Sequence, residues 1–130
     1  MGVYYLDTSA LVKLVVAEAE TPALMAWVGR NDTHASSDLA RTELFRAVRR
    51  VTPDRMVAAR DVLDRLLLIT LTSTIMEHAG ILNPAVLRSL DAVHLAAAMI
   101  LGDELDGLVT YDDRLAEAAS AHGIRVVAPA

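Results

Sequence analysis

The apolar residues of this chain fall into short unbroken runs and longer helical stripes that take turns along the sequence. Val3-Tyr4-Tyr5-Leu6 is continuous rather than alternating, the mark of a strand covered on both faces. Thr8 or Ser9 can cap the helix that follows, which carries Leu11, Val12, Leu14 and Val15. Thr21-Pro22 reads as the cap and first turn of a second helix reaching about Val28. Asn31-Asp32 signals a turn, and 33–36 suits a short strand. Ser37-Asp38 opens a third helix to about Val51, and Thr52-Pro53-Asp54 opens a fourth to about Leu66. Residues 67–71 read as strand, and a helix then starts near Ser73 and is broken by Asn83-Pro84. The remainder predicts a helix over 89–102, stopped by Gly102, and a strand over 107–111. A helix over 113–122, closed by Gly123, and a last strand over 124–127 complete it. Strands parted by helices in this way predict an α/β fold, a central parallel sheet with helices on both faces, in one domain spanning 1–130.

Four acids break the pattern. Asp7 and Asp112 each end an apolar run, and in a parallel sheet the carboxyl ends of strands are where ligands bind. Asp7 is either the N-cap of the first helix or, if Thr8 or Ser9 caps it, free to point from the strand end. Glu43 sits within the stripe Leu39, Ala40, Leu44, Ala47, Val48 and Val51 of the third helix, on its core-facing side. A surface ion pair with Arg46 would be worth only a few tenths of a kcal/mol, ~0.3, and does not explain that position. Asp91 is the one charged side chain between Leu90 and Gly102, in a helix apolar nearly all round and therefore expected to be buried. Its place in the first turn suits the helix dipole, which would tolerate a structural acid and a ligand equally. His94, one turn later, is either a further ligand or, the reading favoured, a hydrogen-bonded core residue. Of Asp112 and Asp113 one caps the last helix and the other faces the pocket. Asp112, nearer the strand end, is assigned to the pocket, with the Thr110 hydroxyl in support. Buried carboxylates repel and protonate unless something pairs with them, and an oxygen-only set suits Mg²⁺ or Mn²⁺. The sequence leaves one or two ions open.

Composition narrows the setting. The chain is 130 residues long and 54% hydrophobic, enough for a core, yet no apolar run approaches a bilayer span. No basic leader precedes the first strand, and no cysteine is present to form disulfides or thiolate metal sites, so a cytoplasmic protein without membrane contact is expected. A net charge of −5 argues against binding nucleic acid by charge alone, and no direct DNA binding is expected of this chain. Its arginines are nevertheless concentrated: Arg41, Arg46, Arg49, Arg50, Arg55, Arg60 and Arg65 make either a solvated helical face or an anion-contacting ridge beside the acids.

These motifs resemble the PIN-domain ribonucleases, and most closely the VapC-type toxins of toxin–antitoxin modules. Leu6-Asp7-Thr8-Ser9-Ala10-Leu11-Val12-Lys13-Leu14 is similar to the family's first acidic motif and Ala40-Arg41-Thr42-Glu43 to its second. Leu90-Asp91-Ala92-Val93-His94-Leu95-Ala96 is similar to the third. Val109-Thr110-Tyr111-Asp112, with Arg114-Leu115 and Ala118-Ala119 behind it, is similar to the fourth. The resemblance implies a Mg²⁺ site of Asp7, Glu43, Asp91 and Asp112, supported by Thr8, Ser9 and Thr110. It also implies endonucleolytic cleavage of RNA by metal-activated water, a homodimer, and a small antitoxin as partner. Residues 29–36 and 53–87 carry no family signal, and substrate choice is expected to lie there.

Two other classes compete. A phosphoaspartyl phosphatase would need an acid two residues after Asp7, where Ser9 stands, and a receiver domain would need an acidic pair before the first helix. A binding module with the same fold could instead use the acidic pocket for a partner's arginine. Aspartyl-phosphate trapping tests the first, and metal titration followed by an RNA cleavage assay tests the second.

Overall fold

The computed structural model describes residues 2–31 and 33–130, so the Asp32 half of the expected Asn31-Asp32 turn lies outside the described residues. Five strands, β1 (Val3–Leu6), β2 (His34–Ser37), β3 (Leu67–Ile69), β4 (Leu105–Val109) and β5 (Val126–Val127), form one sheet in the order β3-β2-β1-β4-β5. Every neighbouring pair is parallel. Among the described residues, seven α-helices connect them: α1 (Thr8–Lys13), α2 (Thr21–Gly29), α3 (Leu39–Val51), α4 (Met56–Asp64), α5 (Ser73–Ile81), α6 (Ser89–Met99) and α7 (Asp113–Ala121). The α/β sandwich expected from the run-and-stripe pattern is therefore the observed one.

The unbroken apolar runs have a direct structural cause. Tyr5 and Leu6 are both fully buried, but they belong to different cores. Tyr5 and Leu108 face one beneath α5, α6 and α7, whereas Leu6 and Val109 face the other beneath α1, α2, α3 and α4. Successive strand residues point to opposite faces, so a sheet packed on both sides needs apolar residues at every position. Each such buried side chain contributes roughly 1.5–3 kcal/mol relative to exposure. The chain builds the sheet outward from β1 to β3, then returns across the top to lay β4 on the other side of β1. That reversal leaves a crevice between the carboxyl ends of β1 and β4, where Leu6 is paired with Val109.

Several expected boundaries move for identifiable reasons. β4 ends at Val109 rather than at 111, because the Tyr111 N–H donates to the Ser9 hydroxyl (2.9 Å) instead of continuing the ladder. α1 ends at Lys13, and α6 at Met99 with Gly102 at φ +55° beyond it. Thr21 is not the cap of α2, since Glu20 holds that position. The Thr21 hydroxyl instead donates to the Lys13 carbonyl (2.7 Å) and accepts from the Glu18 N–H (3.0 Å), tying the α1–α2 loop. Val51, expected in the core stripe of α3, is the helix's last residue and is exposed. Gly123 closes α7 at φ +77°, a conformation side chains disfavour.

Candidate active site

The end of β1 carries the most constrained acid. Asp7 is 3% exposed. Its Oδ1 accepts from the Ser9 hydroxyl (2.6 Å) and from the Ala10 N–H (3.1 Å), and its Oδ2 accepts from the Thr110 hydroxyl (2.6 Å). Of the two alternatives left open for the start of α1, the observed one is Asp7 as the N-cap, with Ser9 a donor to it rather than the cap. One carboxylate can do this because its oxygens hold about four lone-pair sites, of which these bonds use three. Burial raises the Asp7 carboxyl above its ordinary value, and the hydrogen bonds from Ser9 and Thr110 only partly counter it.

Across the crevice, the segment after β4 repeats the device. Asp112 caps α7 through Oδ1, which accepts from the Leu115 N–H (2.9 Å), and its own N–H donates to the Thr110 hydroxyl (3.0 Å). Capping and facing the pocket were expected to be divided between Asp112 and Asp113. Asp112 caps the helix through one oxygen and accepts from Arg88 through the other, while Asp113 is exposed in the first turn of α7. Thr110 joins the two acids, donating to Asp7 and accepting from Asp112.

Glu43, on α3, is half-buried, and its partner is not Arg46. Its Oε1 accepts from the Thr8 hydroxyl (2.6 Å) and lies 2.7 Å from His94 Nε2. His94 is buried within α6, and its Nδ1 lies 2.7 Å from the Tyr5 hydroxyl. An ionised carboxylate only accepts, so Nε2 carries the proton toward Glu43 and Tyr5 donates to Nδ1. Burial raises the Tyr5 phenol well above its ordinary value, which keeps that proton in place. For Glu43, burial opposes ionisation, but the bonds from His94 and Thr8 outweigh it and hold the carboxyl below its ordinary value. His94 is the hydrogen-bonded core residue favoured from sequence, and it also fixes the acid opposite it.

Asp91 lies in the first turn of α6, a helix buried without interruption from Ala92 to Ala98, as its apolar sequence predicts. With Glu43, Arg88, Ser89 and Leu90 it lines a cleft of about 320 Å³. Arg88 was not foreseen. Its Nε donates to Asp91 Oδ2 (3.2 Å) and its Nη2 to Asp112 Oδ2 (3.0 Å), so one guanidinium bridges two of the four acids. The available signal was an arginine three residues before Asp91, the spacing of a helical ion pair.

The four acids are therefore brought to one end of the sheet, linked through Thr8, Thr110, His94 and Arg88. Among the described residues, no three or more acidic, imidazole or thiol side chains are grouped closely enough to hold a metal ion. The donor chemistry nevertheless fits a hard cation: every acid offers oxygen, and Asp91 and Glu43 each accept bonds through a single oxygen among the described residues. All seven clustered arginines are exposed, with Arg46, Arg49 and Arg50 lining a shallow depression on the helix that carries Glu43. No helix among the described residues is long and apolar enough to cross a membrane.

A parallel sheet in this order, acids at its reversal point and this motif spacing describe one class of protein. The PIN domain family model matches residues 4–121, and the chain belongs to that family. Ribonuclease VapC46 of Mycobacterium tuberculosis is 43% identical over 129 residues, covering 99% of each chain, which places this protein with the VapC ribonucleases. The fold is also that of M. tuberculosis VapC20, a sarcin–ricin loop cleaving toxin (TM-score 0.78, 18% identity, 97% of this chain and 99% of the other). It is shared as well with a toxin–antitoxin complex from Klebsiella pneumoniae (TM-score 0.73, 22% identity, 100% of this chain and 98% of the other).

Proposed function

We propose that this protein is a divalent-metal-dependent endoribonuclease, the cytoplasmic toxin of a toxin–antitoxin pair. The observation that carries the reading is the gathering of Asp7, Glu43, Asp91 and Asp112 at the sheet's reversal point, in a chain related over its full length to a named ribonuclease. Asp7 and Asp91 would hold Mg²⁺ most directly and Glu43 and Asp112 would complete its surroundings, with Mn²⁺ as a substitute. When bound, the ion neutralises phosphate charge and makes water a competent nucleophile near neutral pH.

The protein's own groups have separable tasks. Thr110 and Ser9 orient Asp7, and each favours its charged form against the pull of burial. Thr8 and His94 fix Glu43 by one oxygen, and the other oxygen of this cleft-lining acid would accept a proton from water. Arg88 stands on the rim where a phosphodiester enters. No side chain forms a covalent intermediate in this scheme. A structural neighbour that is a toxin–antitoxin complex supports a small antitoxin as partner, and the family resemblance supports a homodimer.

The test is cleavage of cellular RNA by purified protein, with end mapping to identify the substrate. Asp7→Asn and Asp91→Asn abolish cleavage with the fold intact by circular dichroism. Full activity in both variants would overturn the proposal.

A further inference from the structure

The cation already present among the acids is Arg88. Its guanidinium reaches Asp91 on its own helix and Asp112 on the far side of the crevice, at 3.2 and 3.0 Å. Those contacts fall on the Oδ2 atoms of two acids assigned above to a divalent ion. The Asp91 and Asp112 side chains are 15% and 27% exposed, whereas that of Arg88 is 62% exposed. A carboxylate pair brought together without a counter-charge would repel, so something must stand between them when the ion is absent. A bridge this exposed is weak and readily exchanged. Arg88 also precedes the first turn of α6 as its N-cap residue, with extended backbone, so its side chain can swing without unwinding the helix. Among the described residues, Arg88 is the one basic residue lining the cleft with Glu43 and Asp91.

We infer that Arg88 is an exchangeable cation of the site: it neutralises Asp91 and Asp112 until a divalent ion takes their oxygens, and then binds the phosphate of the RNA. The inference rests on the metal-dependent reading above and assigns a substrate-contacting role that the acids cannot fill. A guanidinium suits both tasks, because its planar fork matches carboxylate and phosphate alike. The two roles leave opposite marks. Removing Arg88 removes a competitor for the metal and a ligand for the RNA, so metal affinity rises while RNA affinity falls. A merely structural arginine would move both in the same direction or neither.

The experiment compares wild type, Arg88→Gln and Arg88→Lys by Mn²⁺ calorimetry. It is paired with fluorescence anisotropy of a labelled phosphorothioate single-stranded RNA at saturating Mn²⁺. Arg88→Gln is expected to bind Mn²⁺ about three- to tenfold more tightly, the scale of losing two exposed ion pairs, and RNA about tenfold more weakly. Arg88→Lys is expected to keep Mn²⁺ affinity near wild type and to recover part of the RNA affinity. Unchanged or weaker Mn²⁺ binding by Arg88→Gln, with wild type binding normally, overturns the role of Arg88 alone. Unchanged RNA affinity does the same. No Mn²⁺ binding by any of the three proteins overturns the metal-dependent reading and this inference with it.

Discussion

Asp7→Asn sets catalysis against stability. The carboxylate is 3% exposed and accepts three hydrogen bonds, from Ser9, Ala10 and Thr110. Taking an ion out of water costs several kcal/mol (~3–5) after relaxation, and each charge-assisted bond exceeds its neutral counterpart by only about 1 kcal/mol. Asparagine keeps an acceptor for Ser9 and Ala10 and is as good an N-cap. Its amide would donate to the Thr110 oxygen, whose hydroxyl can turn toward Ser9, 3.4 Å away. The variant should therefore be more stable at pH 7 in EDTA by about 1–2 kcal/mol, a Tm gain of roughly 3–8 °C. The pH dependence follows from the raised Asp7 carboxyl. Because its folded value lies above the ordinary 3.8, the native state binds the proton more tightly than the unfolded chain. Wild type thus loses stability relative to the variant as pH rises from about that ordinary value through the raised one, and the gap then stays constant. Below the ordinary value the two should converge. Chemical denaturation in EDTA across pH 3–8, alongside RNA cleavage in Mg²⁺, reads both effects. A variant less stable than wild type at pH 7, or a gap that widens toward acid, would refute the burial argument.

Further outcomes follow from other contacts. His94→Ala should remove the imidazole that pairs with the buried Tyr5 hydroxyl and release Glu43, costing about 2–4 kcal/mol and sharply reducing cleavage; Tm and single-turnover rates check it. Gly107→Ala should destabilise the chain by about 1–3 kcal/mol without touching the acids. A Cβ there would stand 3.1 Å from the Arg125 carbonyl oxygen and 3.2 Å from the Tyr4 ring, and urea denaturation would show the loss. EDTA should abolish cleavage and Mg²⁺ or Mn²⁺ restore it, read by RNA gel assay.

The sheet was legible because its physics is local: a strand with no polar face must be covered on both sides, and Tyr5 and Leu6 do face separate cores. The position of Asp7 at the end of β1 followed from the same runs, whereas Asp112 lies beyond the end of β4, at the start of α7. Their double duty did not follow, because whether one carboxylate caps a helix and also faces a crevice depends on where Thr110 arrives from another strand. Glu43 showed the same limit. Its place on the core side of α3 was readable, but its partner, 51 residues away on α6, was not. Arg88 was overlooked because half its meaning lies in Asp112, 24 residues on and across the sheet reversal. Boundaries moved where a side chain took a backbone group, as Ser9 takes the Tyr111 N–H.

The outermost strands have a consequence for assembly. β3 is three residues long and β5 only two. So short a rim offers few unpaired amides and carbonyls, and a second copy cannot zip onto it by extending the ladder. A chain with over half its residues apolar in this way keeps its most aggregation-prone edges too brief to act as templates.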